Sequence, residues 1–276
     1  MQCPFPVTIK NPAIEKKAGV PIDVLPDGSA VYEDGEVLPG VIPVPCEKCV
    51  VCQNKRRDAW AARLELEARC HVSTWFVTLT YNEESLPPFL VKKDLQNFFK
   101  RLRKKIKCRH FSCGEYGSRH ERPHYHSIIF FDTQLTKDQC YDLVSRSWNY
   151  GFVMVDEATF NRMRYVAKYT VKSILDIPEN VPKPFAQMSR RPGIASSWFE
   201  SNIQYFHEFL VLESGQHEPL PRYFLNKLDP LEVIQIKRHN REFAESQPEI
   251  PDSEKQLRAI NLERRLRRQY IRKYGK

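Results

Sequence analysis

His110-Phe111-Ser112-Cys113-Gly114-Glu115-Tyr116, then Gly117–Pro123, then His124-Tyr125-His126-Ser127-Ile128-Ile129-Phe130-Phe131 reads as a strand, a connecting loop and a returning strand. Moving outward, Trp75-Phe76-Val77-Thr78-Leu79-Thr80-Tyr81 is β-branched and aromatic throughout, which predicts a strand. Between it and His110, the spacing of Leu95, Phe98, Phe99, Leu102 and Ile106 marks one stripe of an amphipathic helix. Asn54–Arg69 precedes this block with a helical pattern, Trp60, Leu64 and Ala68 sharing a face. Downstream, Asp138–Trp148 predicts a helix, Phe152–Val155 a strand and Phe160–Ser173 a helix. The order is helix, β-α-β-β-α-β, helix. That predicts an α+β fold with an antiparallel sheet in the ferredoxin-like, split βαβ arrangement and helices on one face.

Outside this block the pattern weakens. Residues 1–45 are rich in Pro, Gly and scattered acids with no sustained period, which predicts an irregular leader. Prolines at 178, 182, 184 and 192 break regular structure, and Ser189–Gly193 reads as a basic turn. Ser197–Leu212 is compatible with a helix. Residues 255–276 carry nine Lys or Arg against one Glu, a basic terminal helix.

The 276 residues allow one large domain or one domain with a substantial extension. With 41% hydrophobic and 12% aromatic residues the chain can bury a core, which excludes bulk disorder. A net charge of +9 favours a polyanionic partner. No apolar run approaches the ~18 residues of a membrane span, and Met1–Lys10 lacks the apolar segment of a signal peptide. The expectation is a soluble intracellular protein whose eight cysteines are thiols or metal ligands rather than disulfides.

Alternate strand residues share a face, so His124 and His126 point the same way and Tyr125 the other. Two imidazoles make half a metal site. The Gly117–Pro123 loop folds Glu115 beside them as a third ligand, with His110 and His120 as substitutes. Two nitrogens and one carboxylate with open positions suit Mn²⁺ or Mg²⁺ in a catalytic role better than a closed structural zinc. The alternative is two histidines with ordinary hydrogen bonds on a partly exposed strand.

At about 100° per residue, Met163, Val166, Ala167, Thr170 and Ile174 cluster on one side of the Phe160–Ser173 helix. Tyr165, Lys168, Tyr169 and Lys172 fall on the other. A phenol of pKa about 10 needs a metal or a neighbouring ammonium to attack phosphate at neutral pH. The alternative is that both tyrosine rings cover the helix surface.

Cys46, Cys49 and Cys52 give a C-x2-C-x2-C run with zinc-compatible spacing. Cys3, Cys70, His71 or Cys113 can complete it, Cys3 first among them. Such a zinc would pin the leader. The alternative is a turn of small thiols packed under the next helix. Lys92–Arg109 holds nine Lys or Arg and one acid, Asp94. Lys100, Arg103, Lys104 and Lys107 on its exposed side, with Lys172, Arg190 and Arg191, are candidate phosphate contacts. Tyr81, Tyr116 and Trp148 are candidates for base stacking.

These residues resemble the HUH endonucleases that initiate rolling-circle replication. Phe76–Tyr81 looks like their first motif, Arg122-Pro123-His124-Tyr125-His126 like the second and Tyr165-Val166-Ala167-Lys168-Tyr169 like the third, with Gly114-Glu115-Tyr116-Gly117 resembling the segment of the third metal ligand. Pro45–Cys52, Ser189–Ile194 and Leu220–Tyr223 narrow the resemblance to the initiators of gokushovirus-type microviruses, over roughly Pro45–Lys227. The resemblance implies a nuclease domain at 46–180, between the leader at 1–45 and an extension at 181–276. It further implies site-specific nicking of single-stranded viral origin DNA through a 5′-phosphotyrosine, with a free 3′-hydroxyl priming synthesis and the second tyrosine finishing the round. The setting would be the host bacterial cytoplasm, with no membrane partner. The sequence holds no Gly-x4-Gly-Lys-Ser/Thr phosphate loop, so unwinding and copying would fall to host helicase and DNA polymerase. Competing readings are a plasmid or transposon nuclease with the same motifs, a non-catalytic single-stranded nucleic-acid-binding module, and a structural zinc protein.

Overall fold

A computed structural model describes residues 3–17, 19–117, 122–168, 180–203, 209–212, 215, 217–246 and 250–274. The chain divides into two units, residues 1–53 with 250–269 and residues 54–249 with 270–276. In the first, β1 (Val7–Lys10) is followed by a short helix α1 (Pro12–Lys16), whose first turn is capped by the Asn11 side chain accepting from the Ala13 N–H. β2 (Asp23–Val24), β3 (Ala30–Val31) and β4 (Val37–Leu38) form a meander, and β5 (Val41–Val44) returns to pair with β1. The segment that reads as irregular therefore holds five strands. Most are two residues long, too short for a period of two to register.

The second unit is built on one sheet. Its elements are α2 (Val50–Ala68, which begins just before the unit), β6 (Ser73–Tyr81), α3 (Lys92–Arg103), β7 (Cys108–Tyr116), β8 (Pro123–Phe131), α4 (Lys137–Ser145), β9 (Gly151–Glu157), α5 (Phe160–Ala167) and β10 (Phe185–Met188). The strand order is β9-β6-β8-β7-β10, and every neighbouring pair is antiparallel. β8, the strand carrying the histidines, thus lies in the middle. The sequence reading did not include β10, four residues among prolines.

Both faces of this sheet are buried. On one, Val77, Leu79, Tyr125, Ile129 and Phe131 pack against Leu95, Phe98, Phe99 and Leu102 of α3 and Cys140 and Val144 of α4. On the other, Phe76, Phe111, Ile128 and Phe130 pack against Leu64 and Leu66 of α2 and Met163, Val166 and Ala167 of α5. The expectation of helices on one face holds for α3 and α4; α2 and α5 cover the second. The uninterrupted run Ile128–Phe131, fully buried throughout, is the mark of a strand covered on two sides. Each such side chain contributes about 1.5–3 kcal/mol, against about 0–1 kcal/mol for a surface ion pair. These two layers, not the many charges, hold the sheet.

A buried polar link fixes where α3 starts. The Tyr81 hydroxyl donates to Asp94 Oδ2 at 2.8 Å and lies 2.8 Å from the Tyr125 hydroxyl, which bonds both the N–H and the carbonyl of Val91. Beyond the sheet, α6 (Ser196–Asn202) is shorter than the helix read over Ser197–Leu212. Its later residues form β11 (Phe209–Val211), paired with β12 (His217–Pro219). α7 (Arg222–Leu225), α8 (Pro230–Glu245) and the basic α9 (Asp252–Tyr274) follow. No helix among the described residues is long and apolar enough to cross a membrane.

His110 is buried on the α3 side, stacked on Phe99 with ring centroids 3.6 Å apart and bonded to Ser112 Oγ. Burial, and then the Arg103 and Arg109 charges, hold its imidazole at about 3, below its ordinary 6.5. The unfolded chain takes up a proton near pH 6.5 while the folded chain does not until about pH 3. Stability present above pH 6.5 is therefore lost as the pH falls through that window. In urea unfolding at pH 7.5, 6.5 and 5.5, His110→Gln should flatten the acid-side loss by up to about 1.4 kcal/mol per pH unit. Parallel pH profiles for wild type and variant would contradict this.

Candidate active site

Strand register brings the site together. Glu115 on β7 lies across from His124 on β8, and His126 lies across from Thr78 on β6. All three groups point to the α5 side of the sheet. Glu115 Oε1 is 3.1 Å from His124 Nε2 and 3.0 Å from His126 Nε2. The ligand atoms of the three residues lie within 4.8 Å of one another.

The outer ring nitrogens are committed. His124 Nδ1 is 3.1 Å from the Arg122 carbonyl, to which it can only donate, and His126 Nδ1 is 2.9 Å from Thr78 Oγ1. A neutral His124 therefore turns an Nε2 lone pair toward the Glu115 oxygen. Two lone-pair donors at that distance call for a cation between them, a proton or a metal. Burial disfavours the Glu115 carboxylate, but hydrogen bonds from His124, His126 and Tyr165 and the Lys168 charge outweigh it and hold its pKa well below the usual carboxylate range. His126 is shifted down chiefly by burial, against the pull of Glu115, which favours the neutral ligand form. A divalent ion fits this donor set of two imidazole nitrogens and an ionised carboxylate.

Tyr165 reaches the same oxygen from α5. Its hydroxyl donates to Glu115 Oε1 at 2.6 Å, and its ring meets His126 edge-on at 5.2 Å. Lys168, three residues on at the C-cap, sets its Nζ 3.7 Å from the Tyr165 ring centroid. Met163, Val166 and Ala167 are buried on the other side of α5, so the helix divides as its periodicity predicts. Tyr169, Lys172 and His120 lie outside the described residues. His110 is excluded as a ligand, since it faces α3 on the opposite side of the sheet.

The other basic residues lie elsewhere. Lys100, Arg103, Lys104 and Lys107 are exposed, but α3 covers the face away from Glu115. Arg103, Lys107, Arg109, Arg190 and Arg191 line a separate cleft of about 1030 Å³. Arg109 and Glu115 are six residues apart on β7, about 20 Å along the strand.

The aromatic expectation needs correcting. Tyr81 and Trp148 are each 2% exposed and belong to the core, and the Tyr116 hydroxyl donates to the Pro182 carbonyl. Sequence reasoning missed Phe152 and Met154 on the edge strand β9, 68% and 53% exposed. They pair with Thr80 and Thr78, the neighbours of His124 and His126, and so share the ligands' face. The available signal was Phe152-Val153-Met154-Val155, apolar at every position where one buried face needs only alternate ones.

In the first unit, Cys3, Cys46, Cys49 and Cys52 converge, with all four Sγ atoms within 4.8 Å of one another. Cys70, His71 and Cys113 are not part of this group.

The comparisons agree on a family. Residues 74–174 match the family model of the replication-associated protein ORF2. The replication-associated protein ORF2 of Spiroplasma virus 4 is 35% identical over 220 residues, covering 67% of this chain and 68% of that protein. The chain belongs to the phage replication-associated proteins of the microvirus type. ORF4 of Chlamydia phage 1, also a replication-associated protein, is 28% identical over 68% of this chain, which spans 54% of that relative's length. Among solved structures, the hypothetical protein ORF119 of Sulfolobus islandicus rod-shaped virus 1 aligns with 42% of this chain and 96% of its own at 18% identity and a TM-score of 0.30, too distant to bear on the fold.

Thr78 touches no ligand atom of the triad directly; it orients one. Thr78→Val keeps the shape of the side chain and removes the bond to His126 Nδ1. Such outer bonds are worth about 10–100-fold in metal affinity, and Mn²⁺ titration calorimetry should show a loss of that size with the fold intact. Unchanged affinity would mean that His126 needs no orientation.

Proposed function

We propose that this protein is a metal-dependent, site-specific single-stranded DNA endonuclease and strand transferase that starts and ends rolling-circle replication of viral DNA through a 5′-phosphotyrosine intermediate. The observation that carries the reading is the Tyr165 hydroxyl bonded to the same Glu115 oxygen that both histidines approach. The strand order β9-β6-β8-β7, with α3 and α4 on one face, supports assigning the sheet to the ferredoxin-like HUH nuclease arrangement.

Glu115, His124 and His126 would hold Mn²⁺ or Mg²⁺, which when bound polarises the scissile phosphate and offsets charge developing on it. Tyr165 is the nucleophile nearest that position, with Tyr169 its partner in the second transfer. A carboxyl held as far down as Glu115 is a poor base, so its task is to ligate and to aim the phenol. Lys168, its ammonium beside the Tyr165 ring, favours the phenolate. The phenol oxygen bonds to phosphorus as the bond from phosphorus to the 3′ oxygen breaks; a DNA 3′-hydroxyl is released and the 5′ phosphate stays on tyrosine. Phenolate is a good leaving group, so a later 3′-hydroxyl can displace it and close the circle. Phe152 and Met154 offer bases an apolar platform on the ligands' own face, and the cleft around Arg190 and Arg191 suits phosphates farther along the strand. Host helicase and polymerase would supply unwinding and synthesis.

Incubation with circular single-stranded origin DNA and Mn²⁺ should give a protein–DNA adduct on a denaturing gel. His124→Ala or His126→Ala should lower its rate by roughly 10²-fold or more with DNA binding retained, and Tyr165→Phe/Tyr169→Phe should abolish it. Loss of one hydroxyl should leave initial nicking and block repeated turnover. An adduct from the double variant would place the nucleophile elsewhere, and full activity of both histidine variants would remove the metal assignment.

The two DNA surfaces should differ in salt dependence. Lys107→Gln/Arg190→Gln/Arg191→Gln should flatten the slope of log affinity against log salt by about 2, three lost phosphate contacts on single-stranded DNA. Phe152→Ala should weaken binding by about 1–3 kcal/mol and leave the slope alone. A triple variant with the wild-type slope would show the cleft to be solvated charge only.

A further inference from the structure

Four of the eight cysteines, none of them used by this chemistry, come from both ends of a 50-residue stretch to one point. Cys3 Sγ lies 3.5 Å from Cys46 Sγ and 3.8 Å from Cys49 Sγ, and Cys46 Sγ lies 4.0 Å from Cys52 Sγ. A tetrahedron of zinc–sulfur bonds about 2.3 Å long has edges of about 3.8 Å. These separations bracket that edge. They are far above the ~2.05 Å of a disulfide, and all four cysteines are free thiols. The 4.8 Å span has room for one ion at the centre and none for a cluster of several metals with bridging sulfides.

The backbone is shaped to the same end. The Cys46 N–H donates to Cys3 Sγ at 3.4 Å and the Cys49 N–H to Cys46 Sγ at 3.3 Å. Such bonds spread the charge of thiolates. Glu47 takes a left-handed conformation, φ 58°, an unusual one for a residue with a side chain, which turns the chain tightly enough to point Cys46 and Cys49 together. Cys52, in the first turn of α2, comes from the opposite side.

We propose that Cys3, Cys46, Cys49 and Cys52 form a closed tetrathiolate zinc site that is structural and separate from the nuclease metal. Soft thiolates select Zn²⁺ over the hard ions suited to Glu115, and four protein ligands leave no position for water or substrate. On loading, four S–H bonds give way to four Zn–S bonds, four protons leave to solvent and no electron is transferred. The site closes a loop from residue 3 to residue 46 around the short strands β1–β5, whose own core is small. Metal binding would thus supply folding energy that this unit lacks. The inference does not depend on the nuclease reading, because it uses none of the same residues.

Full-length protein purified under reductant should carry one zinc per chain by elemental mass spectrometry. Titration with an organomercurial should release that zinc to a chromogenic indicator as four thiols are consumed. Cobalt in its place should give the intense charge-transfer absorption of thiolate ligands and the visible bands of a tetrahedral ion. Cys49→Ser should lose most of the zinc, while Cys70→Ser should keep it. Because a serine variant can misfold, the decisive measurement is made on the unaltered chain. Zinc removal should speed hydrogen exchange across residues 3–53 and leave β6–β9 protected. The proposal is overturned by substoichiometric zinc after purification with added zinc, by an intact mass two hydrogens lighter per cysteine pair, or by zinc that survives replacement of all four cysteines.

Discussion

One oxygen, Oε1 of Glu115, receives both histidine Nε2 atoms and the Tyr165 hydroxyl, and it can do so only in one register of three strands. Pairing Glu115 with His124 and Thr78 with His126 stacks carboxylate, imidazoles and orienting hydroxyl on one face. A slip of one residue would turn all of them into the layer occupied by Leu95 and Phe99. The apolar layers on both sides resist that slip. Core packing and site geometry are here the same constraint.

The parts of the site differ in support. The three ligand-bearing residues sit inside long paired strands, so their positions are set by the backbone ladder. Tyr165 and Lys168 sit on the last turn of α5, held by the burial of Met163, Val166 and Ala167 on its other side. Rigid strands suit groups that must surround a cation, while a helix end can move a phenol the small distance that bond formation asks of it.

Much of this was legible in the chain because strands announce themselves through alternation and helices through a period near 3.6. The His124–His126 spacing set those side chains on one face, and the return through Gly117–Pro123 brought Glu115 beside them. The same arithmetic excludes His110, five residues from Glu115 and hence on the opposite face, although the sequence reading kept it as a substitute ligand. Other features had no local signal. Strands of two residues carry no period, and β10 is stabilised by pairing with β7, a contact made across more than seventy residues. Tyr81 and Trp148 looked available for bases, yet burial depends on α3 and α4 closing over them, which no spacing within β6 reveals. Phe152 and Met154 show the reverse case, apolar residues that the outermost strand leaves uncovered.

Their position on β9 has an evolutionary consequence. The strand borders the sheet, one partner removed from the histidines, and the two side chains project from it without packing into either layer. Substitutions there leave the ladder between β6, β8 and β7 untouched. Lineages could therefore diversify this rim under selection from changing origins while the residues that hold the cation drift hardly at all. Recognition and reactivity occupy separate strands, so each can vary on its own clock.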